Sequence, residues 1–355
     1  MDNHLTKRGS RVLPLLVRLL ALLALGGACV WISLRNVSLP DLWQSLLQAQ
    51  GWWLVAAVFS VVVVAVAKTV RWWYLYPVGK RPATWMRTFD VLMTSQTLNL
   101  LIPVRLGEVA RVGLMLQEGI PAPMTISTLV IEKSVELLAA GTLVALAIPT
   151  AVLPEWLPSS FGFLSGIGGA IVLIALFIMW MERRRIADII RAVIGFRGWL
   201  PDRWQERIVR GVHSMLEGLE ALANPRAALP IVLLTSLSWI ASIFTIAAVL
   251  SAYGLSVGWH VAFSLSLALY LSNVVPTPPA LVGVVSAVTT ITLGWFGITH
   301  ARSAAVGLAL NVVLVAPVTL LGGWFTWYRF SHLANKTFRE RWGKSLGLPD
   351  GDRVA

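Results

Sequence analysis

Apolar residues in this chain come in long runs separated by short basic stretches. The runs are Val12–Leu34, Trp52–Val70, Met124–Pro149, Phe161–Met181, Leu229–Leu250, Trp259–Val275, Leu281–Ile298 and Ala304–Tyr328. Crossing ~30 Å of hydrocarbon takes about 20 helical residues. The pattern therefore predicts an all-α polytopic membrane protein with about eight hydrophobic spans. Arg18 interrupts the first run close to its start, where a long side chain can snorkel to the interface.

Basic residues between the runs set the orientation. Lys7, Arg8 and Arg11 hold the N-terminus in the cytoplasm, and Arg71, Lys80, Arg81 and Arg87 return to that side after the second run. The stretch 182–226 opens with Arg183, Arg184 and Arg185, which makes it a cytoplasmic loop. Within it Trp204, Ile208, Val212, Met215, Leu219 and Leu222 recur at helical spacing, opposite Arg203, Arg207 and Arg210. That is the pattern of an amphipathic helix on the inner leaflet, and equally of a linker helix packed on the spans. The expected organisation is a cytoplasmic N-terminus (1–11), one integral membrane domain (12–328) and a cytoplasmic tail (329–355). The membrane domain divides into halves 52–181 and 229–328 around the basic loop 182–228.

Topological parity constrains Thr84–Gly119, because both of its flanks are cytoplasmic. Its second arm carries three charges and is a poor lipid-facing span. A re-entrant hairpin broken at Pro103 fits better, and irregular backbone at membrane depth needs burial in protein or a wet cavity. Residues 259–298 leave and return on the opposite face, around Asn273, Pro276 and Pro278. Parity does not separate a hairpin from two spans there. Span, proline-broken hairpin, span in two opposite orientations is the form of an inverted-topology repeat. Chance prolines would give the same pattern equally often.

Composition agrees with the runs. The chain is 57% hydrophobic and 13% charged, against about a quarter charged in soluble domains. Its net charge of +12 falls between the apolar runs, so the expected partners are membrane lipids rather than nucleic acid. The single cysteine, Cys29, excludes an intrachain disulfide and a cysteine metal cage. No HExxH, Walker A or GxSxG pattern occurs, so no cofactor, metal or catalytic residue is expected and the chain reads as a non-enzyme.

Charge inside the apolar runs is the remaining signal. Arg105, Glu108 and Arg111 precede Glu132, Lys133 and Glu136 by about two dozen residues, three basic against three acidic. A charge at the bilayer centre costs at least ~2.5–3.5 kcal/mol, so a paired network is expected. Arginine forks match phosphate, and carboxylates can hold or release them. The candidate substrate-binding set is Arg71, Asn99, Arg105, Glu108, Arg111, Glu132, Lys133, Glu136 and Asn273, with Pro103, Pro276 and Pro278 as hairpin breaks. A buried ion pair that only locks two elements in register would use the same residues.

Arg71-Trp72, then Asn99 with Pro103-x-Arg105-x-Gly107-Glu108-x-x-Arg111, then Glu132-Lys133-x-x-Glu136-Leu137-Leu138 resemble the transmembrane module of lysylphosphatidylglycerol synthases, also called flippase-like. The resemblance covers roughly residues 12–328. It implies a multi-pass protein of the bacterial inner membrane with both termini cytoplasmic. Its implied role is translocating an amphiphile such as an anionic phospholipid, a polyprenyl-linked lipid or a hopanoid. Two departures matter. The synthases carry a soluble aminoacyltransferase domain, whereas here a short basic tail ends at Ala355, so lysyl-lipid synthesis by this chain alone is not expected. The second-half motif is usually glycine-rich and ends in Glu, whereas here Pro279, Ala280 and Ser286 stand in those places. The rival readings are a membrane-embedded transferase on a lipid-linked substrate and a non-catalytic partner of lipid-synthesis enzymes.

Overall fold

A computed structural model describes residues 24–35, 37–102, 106–147, 225–272 and 278–346. All regular structure among the described residues is helical. Helix α1 is described over Ala24–Leu34. It is followed by α2 (Leu39–Leu47), α3 (Gly51–Tyr74), α4 (Trp85–Leu101), α5 (Leu106–Gln117) and α6 (Ala122–Ala147). The second half contains α7 (Pro225–Ala252), α8 (Trp259–Ser272), a 3-10 turn (Pro279–Leu281), α9 (Val284–Trp295) and α10 (His300–Leu346). The expected span Phe161–Met181, residues 182–224 of the basic loop, and residues 1–23 and 347–355 lie outside the described residues.

Among the described residues three helical stretches are long and apolar enough to cross a membrane: Gly51–Tyr74, Ala228–Ala252 and His300–Arg329. Between them stand pairs of shorter helices. The arms α4 and α5 have 17 and 12 residues, and α8 and α9 have 14 and 12. At 1.5 Å per residue none reaches ~30 Å.

Helices α3 and α7 pack most extensively of all pairs, and they run antiparallel. Going up α3, the Gln50 N–H donates to Ala252 O, Ser60 Oγ to Ala241 O and Arg71 Nη1 to Thr235 Oγ1. Each half then repeats the same contacts: α3 on α4 and α7 on α8, α4 on α5 and α8 on α9, α5 on α6 and α9 on α10. Across the halves α4 packs on α10 as α6 packs on α8. Exchanging the halves maps these contacts onto one another, which is the arrangement of an inverted repeat.

The α3–α7 pair joins two apolar cores. Ala57 and Val61 from α3 pack with Val249, Leu265, Leu293 and Leu310. Ala65, Trp72 and Leu75, further along the same helix, pack with Leu92, Met93, Met115 and Ile131. Small residues permit the close approaches. A Cβ on Gly322 of α10 would overlap Thr97 Oγ1 and Met93 O of α4, and one on Gly307 would lie 2.7 Å from Ser286 Cα of α9.

Two features differ from the apolar pattern. A short helix, α2, follows the first run because Ser38 caps it, its Oγ accepting from the Asp41 N–H at 3.2 Å, and proline stands in its first turn. Helix α10 also continues past Tyr328 to Leu346. The residues after Tyr328 include no proline or glycine until Gly343, so nothing local stops the helix.

Candidate functional site

Helices α3 and α5 deliver three of the cations of the site. Lys68 and Arg71 are three residues apart on α3 and share a face. Arg111 comes from α5. The carboxylates Glu132 and Glu136, one turn apart on α6, meet them. Arg71 Nη2 lies 2.8 Å from Glu136 Oε1 and 3.6 Å from Glu132 Oε1. Arg111 Nη1 lies 2.7 Å from Glu132 Oε2. The Arg71 and Glu132 side chains are 1% and 4% exposed, so this is a desolvated cluster, in which unpaired charge would be costly.

Neighbouring groups fix the orientation of both guanidiniums. Arg111 stacks over the Trp72 ring at 4.6 Å, and its Nε donates to Ser95 Oγ at 3.3 Å. The Trp72 indole donates in turn to Thr128 Oγ1 at 3.0 Å. Arg71 Nη1 reaches Thr235 Oγ1 on α7 at 3.4 Å, while its Nε has no partner. Toward the surface Lys133 sits 3.6 Å from Glu108 and 3.8 Å from Glu136.

The cluster opens onto a cavity of about 250 Å³ between the two halves. Lys68 and Glu136 stand at its charged end, 3.7 Å apart. Gln96 of α4, a stripe of hydroxyls on α7 and Tyr270 of α8 line it together with Val61, Val64 and Leu314. Both halves therefore contribute walls.

Arg71, Arg111, Glu132 and Glu136 form one buried network, with Glu108 and Lys133 at its edge. Asn99 lies elsewhere in the hairpin. Its Oδ1 accepts the Gly107 N–H at 2.8 Å, capping the start of α5. Gly107 is needed there because a Cβ would overlap Ser95 O and lie 2.6 Å from Asn99 Cγ. Pro278 precedes the 3-10 turn of the second hairpin. Arg105, Pro103, Asn273 and Pro276 lie outside the described residues. Lys68, Gln96, Thr235 and Tyr270 were missed by the sequence reading. The only signal was Lys68, a lysine inside an apolar run.

A second ion-pair group lies at the start of α4. Arg329 of α10 meets Asp90 at 2.7 Å and Glu118 at 3.3 Å, and Glu118 also holds Arg87 at 2.7 Å. This group joins α10 to both ends of the first hairpin.

A sequence model of the lysylphosphatidylglycerol synthase TM region matches residues 18–322. The chain belongs to this family. No curated protein matches it. Membership and the apolar helices make it a membrane protein related to lipid metabolism. In this lysylphosphatidylglycerol synthase TM region protein, Ser286 is the third residue of α9, as Glu108 is the third of α5. The second half thus has a hydroxyl, packed against Gly307, where the first half has a carboxylate. Beside it the Asn311 amide donates to Ala280 O and Leu281 O, both at 3.3 Å. The second hairpin break is held by the Asn311 amide, as the start of α5 in the first is capped by the Asn99 side chain.

Proposed function

We propose that this protein binds an amphiphilic lipid with an anionic headgroup and moves it between the leaflets of a bacterial cytoplasmic membrane. One observation carries the reading: a buried ion-pair cluster opens onto a cavity that both halves line. Among the described residues Lys68, Arg71, Arg111 and Lys133 face three carboxylates, Glu108, Glu132 and Glu136, leaving one positive charge over. A monoanionic headgroup matches that excess.

The geometry supports an exchange of partners. An incoming phosphate takes Lys68 from Glu136 at the mouth of the cluster, with Arg71 immediately behind. When the lipid leaves, Glu136 closes on the cations again, so none is left buried and unpaired. The tails stay in the bilayer, since the cavity admits only a headgroup. The two short-armed hairpins enter from opposite faces, the first from the cytoplasm, with both termini on that side. Alternation of the two halves then exposes the cavity to each leaflet in turn. No covalent step is involved.

The test uses liposomes holding the purified protein and fluorescent lipids, with quencher added outside. Protein-bearing vesicles should lose the protected inner-leaflet signal faster than empty ones, and Lys68→Ala should abolish most of the gain. Equal rates with and without protein across several headgroups would refute transport. A chemically altered lipid in the mass spectrum would point to a transferase instead.

A further inference from the structure

One face of α10 closes on α4 along a single seam. Thr97 Oγ1 donates to Val318 O at 2.9 Å, Gly322 lies against Met93 and Thr97, and the Phe89 and Phe325 rings meet edge to face, their centroids 5.8 Å apart. Arg329 then reaches Asp90 at 2.7 Å and Glu118 at 3.3 Å. Positions 318, 322, 325 and 329 are four, three and four residues apart, so they share one stripe of the helix. The residues they meet fall from 97 to 89 and 90 along α4. The two helices therefore run antiparallel, with the ion pairs at one end of the seam.

The seam is also a wall of the cavity. Gln96, beside Thr97, and Val318 line it. On the same two helices Leu101, Leu320 and Trp324 are exposed, which puts lipid within reach of the seam from outside. Parting α4 from α10 would join the cavity to the bilayer sideways.

The ion pairs are the part of the seam suited to opening and closing. The Asp90, Glu118 and Arg329 side chains are 16%, 14% and 18% exposed, against 1% and 4% for Arg71 and Glu132. Water can replace their partners, so separation costs far less than breaking the buried cluster. When Arg329 leaves, Glu118 still has Arg87 at 2.7 Å. The equivalent seam of the other half, α6 on α8, cannot be latched in this way, because α8 contains no Asp, Glu, Lys or Arg.

Resting on the lipid-carrier reading above, we infer that the α4–α10 seam is a lateral gate through which a headgroup enters the cavity from the cytoplasmic leaflet. Arg329, bridging Asp90 and Glu118 at the two ends of the first hairpin, is its latch. The structure holds the gate shut.

Two measurements on the full chain with Cys29 changed to Ser test the gate. In detergent, Thr97→Cys, at a buried position, should react slowly with a water-soluble maleimide. Adding Arg329→Gln should speed the reaction about tenfold, the scale of losing one or two partly exposed ion pairs, whereas Arg329→Lys should leave it slow. Equal rates in the three proteins would overturn the latch. So would an equal rise at Leu293→Cys in the other apolar core, which would mean general loosening. In liposomes, Phe89→Cys with Phe325→Cys is joined by a short bis-thiosulfonate. Joining should stop fluorescent-lipid movement, and a reductant should restore it. Movement at an unchanged rate with the seam joined would overturn the gate and leave the lipid carrier in place. No movement even by the Cys29→Ser chain would overturn the carrier reading and the gate with it, while the maleimide rates still decide the latch.

Discussion

Glu132 serves two guanidiniums, Arg111 through Oε2 and Arg71 through Oε1. Removing it leaves Arg111 with a neutral hydroxyl and an indole face in a site with almost no water. Glu132→Ala should cost about 3–5 kcal/mol, the range for breaking a buried pair, read as a fall in thermal unfolding temperature in detergent. Arg111→Met combined with Glu132→Met should recover most of that loss, because Arg71 still holds Glu136. If the single variant melts with the wild type, the pairing is not structural. A different strain sits in the second hairpin, where Ala280 and Leu281 have φ of 53° and 56°. Left-handed backbone costs a residue with a Cβ ~1–2 kcal/mol, so Ala280→Gly should raise the unfolding temperature slightly, net of glycine's own entropy. No rise would mean that Asn311 already offsets the strain. At this scale the sequence was half legible. Six charges of balanced sign in apolar surroundings pointed to a paired network. Their partners were hidden, because Arg71 and Glu136 are 65 residues apart and spacing does not say which helix faces which. Arg71 therefore reads as an interfacial residue, yet it is almost fully buried.

Element boundaries followed from polarity and turn residues, and close packing did not. Parity and Pro103 were enough to place a hairpin over 84–119, and α4 and α5 form one. Nothing in the sequence separated Gly322, which lies against Met93 and Thr97, from Gly323 beside it, which has nothing within 4 Å. The two make a matched test of the α4–α10 contact. Gly322→Leu should destabilise the protein strongly and Gly323→Leu hardly at all, measured by the fraction surviving size-exclusion after heating. Equal effects would show that α10 does not approach α4 through Gly322. The same contact ends at the Arg329–Asp90 pair. It is partly exposed and worth less than the buried cluster.

Across the whole molecule, the repeat that the prolines only hinted at rests on direction. Because α3 and α7 are antiparallel, their C-terminal ends lie at opposite ends of the pair, and each leads into its own hairpin. The α3–α4 and α5–α6 turns should then share one face of the membrane, and the α7–α8 and α9–α10 turns the other. Exposed positions report on each: Val78 and Gln117 for the first pair, Ser256 and Thr299 for the second. With Cys29 changed to Ser, single variants Val78→Cys, Gln117→Cys, Ser256→Cys and Thr299→Cys can be treated with a membrane-impermeant maleimide. In intact cells stripped of outer membrane, Ser256→Cys and Thr299→Cys should label, whereas Val78→Cys and Gln117→Cys should label only after the membrane is inverted. Labelling of Val78 and Gln117 from opposite sides would mean that α4 and α5 cross the bilayer an odd number of times. That would overturn the proposed re-entrant arm that brings Arg111 to Glu132, and with it the proposal that one headgroup site faces both leaflets.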